Sequence, residues 1–217
     1  SADPSRASRS MNEGERLTDP LRGIGPRNEA IVAALRGTLA FVSRTLFQVS
    51  LADVRPLPPG PLILAPNHRS FLDPLVVGSV VDRRPFFLMH ARYYHNPAIH
   101  WFCRATRCIP VEDGPDNRLA LRDGQRVLES GRVLCVFPAG TISLHGNLGP
   151  AQPGVAWLAR KTGAPVYPTW IGGTREALQK GKARLRFSRV TMRIGEPLDP
   201  KSFGPGRKGS ELLSDTV

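Results

Sequence analysis

The sequence predicts an α/β sandwich: a single domain with a mostly parallel central sheet flanked by helices, led by an N-terminal amphipathic helix. Three observations predict it. Short apolar runs bounded by proline or glycine recur along the chain, among them Leu62-Ile63-Leu64-Ala65 and Val133-Leu134-Cys135-Val136-Phe137. Segments with helical spacing of apolar residues alternate with these runs, the order that builds a parallel sheet. The length of 217 residues suits one domain with a sizeable core.

Residues 1–27 are small, polar and charged. They read as a poorly ordered segment or an expression remnant, with Met11 a candidate natural start. Residues 28–217 form the expected domain. A long helix is expected over 28–50, because Ile31, Val32, Leu35, Leu39, Val42, Leu46 and Val49 recur at helical spacing, with Arg36 and Arg44 among the other positions. It either packs on the sheet or lies on a membrane surface, with Phe41 and Phe47 widening its apolar face. A strand over 62–65 ends at Pro66, and a helix over 73–81 follows. A strand over 86–90, a helix over 97–106 and a strand over 108–111 come next. Leu119, Val127 and Leu128 mark a helix that stops at Ser130-Gly131. A strand over 133–137, a helix over 154–161 and a strand over 165–171 continue the alternation. Leu185, Phe187, Val190, Met192 and Ile194 fit one or two late strands, and Glu211 to Val217 read as the first turns of a helix cut short. No internal repeat or second domain is visible.

Lys+Arg 30 against Asp+Glu 18 gives a net charge of +12, which favours anionic partners such as acidic lipid surfaces, phosphorylated small molecules and acidic proteins. The basic residues are dispersed, without a basic arm, helix-turn-helix or zinc-finger pattern, so nucleic acid is not the expected partner. The 3 cysteines, Cys103, Cys108 and Cys135, are odd in number and irregularly spaced, which argues against a disulfide framework and a zinc site. No metal is expected. No signal peptide and no run of 18 apolar residues is seen, so the expected location is cytoplasmic, peripheral at a membrane.

The chemistry concentrates in Pro66-Asn67-His68-Arg69-Ser70-Phe71-Leu72-Asp73-Pro74, where a loop leaves the first buried strand. A neutral imidazole can take a proton from a hydroxyl. A carboxylate on its other nitrogen fixes the tautomer and stabilises the cation that forms. His68 and Asp73 can supply that pair. The plainer reading is a loop histidine and a helix N-cap aspartate. Ser70 lies between them but points away on a simple loop-to-helix path, so it is not the expected nucleophile. His145 reads as a solvated loop residue rather than a pocket residue, His95 and His100 are poorly spaced for a metal, and Tyr93, Tyr94, Trp101 and Phe102 read as packing residues rather than the border of an acyl tunnel.

Asn67-His68 with Asp73 and, some seventy residues on, Phe137-Pro138-Ala139-Gly140-Thr141 resemble the glycerolipid acyltransferase family, of the 1-acylglycerol-3-phosphate acyltransferase type. Cys108-Ile109-Pro110-Val111 looks like its third motif and Ala164-Pro165-Val166-Tyr167-Pro168 like its fourth, so the resemblance spans about residues 55 to 200. It implies acyl transfer from a thioester, acyl-CoA or acyl-carrier protein, to an acceptor hydroxyl in lipid metabolism. His68 is then the base and Asp73 its orienting partner. Asn67, Phe137, Pro138, Ala139, Gly140, Thr141 and Ile142 become the substrate-binding set. No cofactor is implied beyond the thioester co-substrate. Backbone amides near Gly140-Thr141 or at the helix start after Asp73 are candidate oxyanion donors.

The chain departs from the family at three charged positions. Ala139 stands where a glutamate is usual, Ile142 where an arginine is usual, and Asp113 where the third motif expects an arginine. Ala139 reflects either a deliberate substitution or natural divergence. Losing both arginines removes the guanidinium forks that would hold an acceptor phosphate. Arg107, Arg118 and Arg122 are candidate replacements. A non-phospholipid acceptor, or a catalytically impaired lipid-binding member, therefore stands beside the phospholipid reading.

Overall fold

The computed structural model describes residues 30, 33, 34, 37, 38, 41, 45, 50–53, 56–112, 117–140, 153–178 and 187–204. Residues 30–45, where described, are helical and exposed. The apolar stripe from Ile31 to Val49 lies outside the described residues. The elements that follow are β1 (Ser50–Asp53), β2 (Leu62–Pro66), α1 (Asp73–Val80), β3 (Pro85–His90), α2 (Ala91–Tyr94), α3 (His100–Ala105) and β4 (Cys108–Val111). Then come α4 (Asn117–Glu129), β5 (Val133–Cys135), α5 (Pro153–Thr162), β6 (Val166–Gly172), α6 (Thr174–Ala177), β7 (Thr191–Ile194) and a short 3-10 turn at Pro200–Ser202.

Seven strands form one sheet in the order β1-β7-β6-β2-β5-β3-β4. From β6 to β4 every described pairing is parallel. Strand β7 runs antiparallel to β6, and β1 pairs parallel with β7. The mostly parallel sheet is as the sequence predicts; the reversal at one edge was not legible.

Strand residues alternate between two helical layers. Leu62, Leu64, Phe87, Val133 and Cys135 pack with Val76 and Val77 of α1 and Cys103 of α3. Ile63, Ala65, Phe86, Leu134 and Val136 pack with Val127 and Leu128 of α4 and Leu158 and Ala159 of α5. Burial on both faces explains why β2 and β5 are continuous apolar runs rather than alternating ones. Each Leu, Ile or Val sealed this way stabilises the fold by about 1.5–3 kcal/mol. Arg83 adds a polar clamp: its guanidinium donates to the carbonyls of Pro58, Gly60 and Gly131. This ties the approach to β2 to the turn before β5.

Several boundaries differ from expectation, each for a local reason. The helix expected over 97–106 is shorter, His100–Ala105, and a four-residue helix not expected from sequence, α2, precedes it before Pro97. The long N-terminal helix does not reach Ser50, which begins β1. Only Thr191–Ile194 of the late apolar segment is a strand among the described residues, and Phe187 is 84% exposed. The three cysteines are free and buried.

Candidate active site

Strands β2, β5 and β3 all end at the same edge of the sheet, and loops leaving the carboxyl ends of parallel strands are where such sheets bind ligands. The loop after β2 is held before it reaches α1. The Asn67 side chain donates from Nδ2 to the Ile171 carbonyl at 2.9 Å and accepts the Ile171 N–H on Oδ1 at 2.6 Å. The Asn67 N–H donates to Thr169 O at 3.2 Å. The buried amide thus extends the β2–β6 ladder one rung beyond the strand. Asn67, expected to touch substrate, is occupied with β6.

His68 leaves the next position. Its Nδ1 lies 2.9 Å from Asp73 Oδ2. The same oxygen accepts the N–H groups of Arg69 at 2.6 Å and Ser70 at 2.8 Å. Asp73 is fully buried, and its Oδ1 bonds to no described residue. The helix N-cap is Leu72, with Asp73 the first helical residue. The carboxylate therefore caps the loop that carries the histidine, not the helix behind it. The His68 side chain is 16% exposed, and its Nε2 bonds to no described residue.

Strand β5 delivers the other wall. The Val136 N–H donates to Leu64 O at 2.9 Å, carrying the β2–β5 ladder past Cys135. Phe137 then stacks on His68, with ring centroids 4.1 Å apart and planes 27° from parallel. A tight turn follows, closed by the Gly140 N–H on Phe137 O at 3.0 Å. Gly140 sits at φ 66, a left-handed conformation that favours glycine. Its amide is spent inside this turn, which leaves the Thr141 amide, outside the described residues, and the helix start after Asp73 as the other oxyanion candidates. Pro138 is buried and Ala139 half-buried. Thr141, Ile142, His145 and Asp113 lie outside the described residues.

Ser70 is fully buried, and its role is structural. Its Oγ donates to Leu178 O at 2.8 Å and accepts the Leu72 N–H at 3.2 Å. Leu178 follows α6, whose N-cap is Gly173. Gly173 has φ 86, and a Cβ there would lie 2.0 Å from Arg189 O, so only glycine fits. The third and fourth sequence motifs are strand segments: Cys108–Val111 is β4, and Val166 to Pro168 open β6. Sequence reasoning missed Ile171 and Leu178, partners that lie more than a hundred positions from Asn67 and Ser70; no local pattern marks them.

The arrangement is a buried carboxylate, an imidazole fixed by it and by an aromatic face, and one ring nitrogen left for chemistry. It can remove a proton from a hydroxyl placed at Nε2.

A family model described as Acyltransferase matches residues 48–172. A chloroplastic 1-acyl-sn-glycerol-3-phosphate acyltransferase of Brassica napus is 29% identical over 141 residues, 64% of this chain and 41% of its own length. A 1-acyl-sn-glycerol-3-phosphate acyltransferase of Chlamydomonas reinhardtii is 29% identical over 177 residues, 79% of this chain and 51% of its own. The chain spans about half the length of these curated relatives. The crystal structure of the 1-acyl-sn-glycerophosphate (LPA) acyltransferase PlsC from Thermotoga maritima superposes with a TM-score of 0.71 at 23% identity, covering 95% of this chain and 86% of that one. The two share the fold.

Proposed function

The chain belongs to the acyltransferase family, and from that premise we propose that it moves a fatty acyl group from a thioester to an acceptor hydroxyl. The donor is acyl-CoA or acyl-carrier protein. The observation that carries the reading is His68 Nδ1 held at 2.9 Å by the buried Asp73 carboxylate, with Nε2 turned to other work.

In the proposed reaction the acceptor hydroxyl gives its proton to His68 Nε2 as its oxygen attacks the thioester carbonyl. Asp73 keeps Nδ1–H pointing inward and stabilises the imidazolium that forms. The tetrahedral intermediate collapses with cleavage of the C–S bond. The imidazolium proton goes to the departing thiolate, which restores the neutral histidine. Base catalysis of this kind contributes about 10²–10⁴-fold. No covalent acyl-enzyme is required, which accords with Ser70 being tied to Leu178 and Leu72.

The acceptor is a 1-acylglycerol-3-phosphate, the substrate named for the relatives. A second reading is a non-phospholipid acceptor such as a glycolipid or amino lipid, favoured by Ala139 beside Phe137 and by Ile142 and Asp113 in place of arginines. The protein works peripherally on a membrane from the cytoplasmic side; no helix among the described residues is long and apolar enough to cross a bilayer.

The test is mass spectrometry of products after incubation with mixed acyl thioesters, 1-acylglycerol-3-phosphate and a lipid extract. A new acyl ester should form, and His68→Ala should abolish it. Undiminished transfer by His68→Ala sinks the mechanism. An acylated product lacking phosphate selects the second reading.

A further inference from the structure

The segment from β3 to β4 carries an exposed aromatic and basic surface outside the His68–Asp73–Phe137 cluster. Helix α2 begins where β3 ends, at the same sheet edge as the His68 loop and the Phe137 turn. Phe71, three residues after His68, meets Tyr93 of α2 edge-on, with ring centroids 5.7 Å apart. Phe71 is 42% exposed, Tyr93 38% and Ile99 37%. The residues between Tyr94 and Ile99 are exposed as well. No Asp or Glu occurs between Asp82 and Glu112, whereas Arg83, Arg84, Arg92, Arg104 and Arg107 do. Arg92 on α2, next to Tyr93, and Arg104 on α3, near enough to act on Tyr94, are exposed.

We propose that Phe71, Tyr93 and Ile99 dock the catalytic edge onto an anionic lipid bilayer, with Arg92 and Arg104 meeting the lipid phosphates. An acidic protein would be drawn by the arginines alone. A Phe, a Tyr with its polar tip and an Ile on one rim match the apolar-to-polar gradient of a bilayer interface. Basic residues beside them gain from the negative surface potential of such a membrane. The orientation brings the mouth beside His68 to the surface where a lipid acceptor resides. Docking depends on the surface and not on the reaction, so vesicle binding and turnover are read separately.

The experiment uses the full chain with vesicles of phosphatidylcholine alone and of phosphatidylcholine mixed with phosphatidylglycerol. Wild type should co-sediment preferentially with the mixed vesicles. Phe71→Ser/Tyr93→Ser/Ile99→Ser should weaken that partitioning at least about tenfold. Arg92→Glu/Arg104→Glu should remove the preference for phosphatidylglycerol, and this surface pair keeps the test decisive if the triple variant does not fold. Vesicle binding equal to wild type in both variants overturns the proposal. Vesicle binding unchanged but weaker capture of an acidic acyl carrier protein assigns the face to a protein partner and overturns it too. Turnover of a short-chain, water-soluble thioester should stay within about twofold in the arginine variant, because the charge pair lies outside the His68–Asp73–Phe137 cluster. Wild type that binds vesicles yet transfers no acyl group sinks the acyltransferase reading and leaves the docking face standing.

Discussion

One oxygen of Asp73 holds His68 Nδ1 at 2.9 Å and at the same time gathers the backbone N–H groups of Arg69 and Ser70. The imidazole and the loop that carries it are therefore set by a single buried carboxylate. Asp73→Asn keeps the shape but replaces the charge and turns one end into a donor. Transfer should fall by about 10³–10⁴ in kcat/KM. Steady-state kinetics on the folded variant checks this; a loss under about tenfold would remove Asp73 from the mechanism.

Asn67→Ala strips the buried N–H and C=O of Ile171 of their partner. Two unsatisfied backbone groups should cost about 2–5 kcal/mol in urea unfolding. Asn67→Asp should be no better, because a carboxylate cannot donate to the Ile171 carbonyl. A rescue by Asp would contradict the bonding described.

Gly173→Ala combines a left-handed backbone with a clash against Arg189 O. The expected loss is about 2–4 kcal/mol by thermal or urea unfolding. Activity should drop beyond the loss of folded protein, since α6 sets the Leu178 carbonyl that anchors Ser70. Full specific activity in the folded fraction would break that link.

Ala139→Glu returns a carboxylate to the turn beside Phe137. On the family pattern, transfer to an acceptor should rise by about tenfold or more. An unchanged or lower rate would support divergence toward another acceptor.

The neighbouring Cys103 thiol, and then burial, push the Cys108 thiol well above the ordinary 9.0, while Cys103 itself is lowered by Cys108, so the two offset. Burial, and then the nearby Asp73 charge, push the Cys135 thiol well above 9.0 too. The Cys135 thiol stays protonated in the fold while the unfolded chain ionises near 9.0, so the stability it contributes is full below that value. It is lost as pH rises toward the folded value. Urea unfolding at about pH 8 and about pH 10 should show a fall in stability, shallower in Cys135→Ala. Equal falls would exclude Cys135 as a contributor.

What could be read from the sequence was local. His68 and Asp73 are five positions apart, so their pairing follows from one loop. Strand 108–111 is bounded as expected because its apolar run is short and ends in polar residues. Helix α2 has only four residues, too few to show a period, and it was missed. The plainer alternative made the aspartate a helix cap, but it serves the loop and the histidine, a choice set by the chain path around Leu72. The Phe137 stack and the Asn67–Ile171 and Ser70–Leu178 bonds join positions brought together only by strand pairing.

Because the Asn67 amide stands in for a missing peptide unit against Ile171, the loop with His68 takes its rigidity from the sheet itself. The turn after Phe137 and the α2–α3 rim are built on separate supports. Such a layout makes the acceptor pocket and the outer rim interchangeable parts. Divergence at Ala139, in that turn, leaves the His68–Asp73 pair where it is.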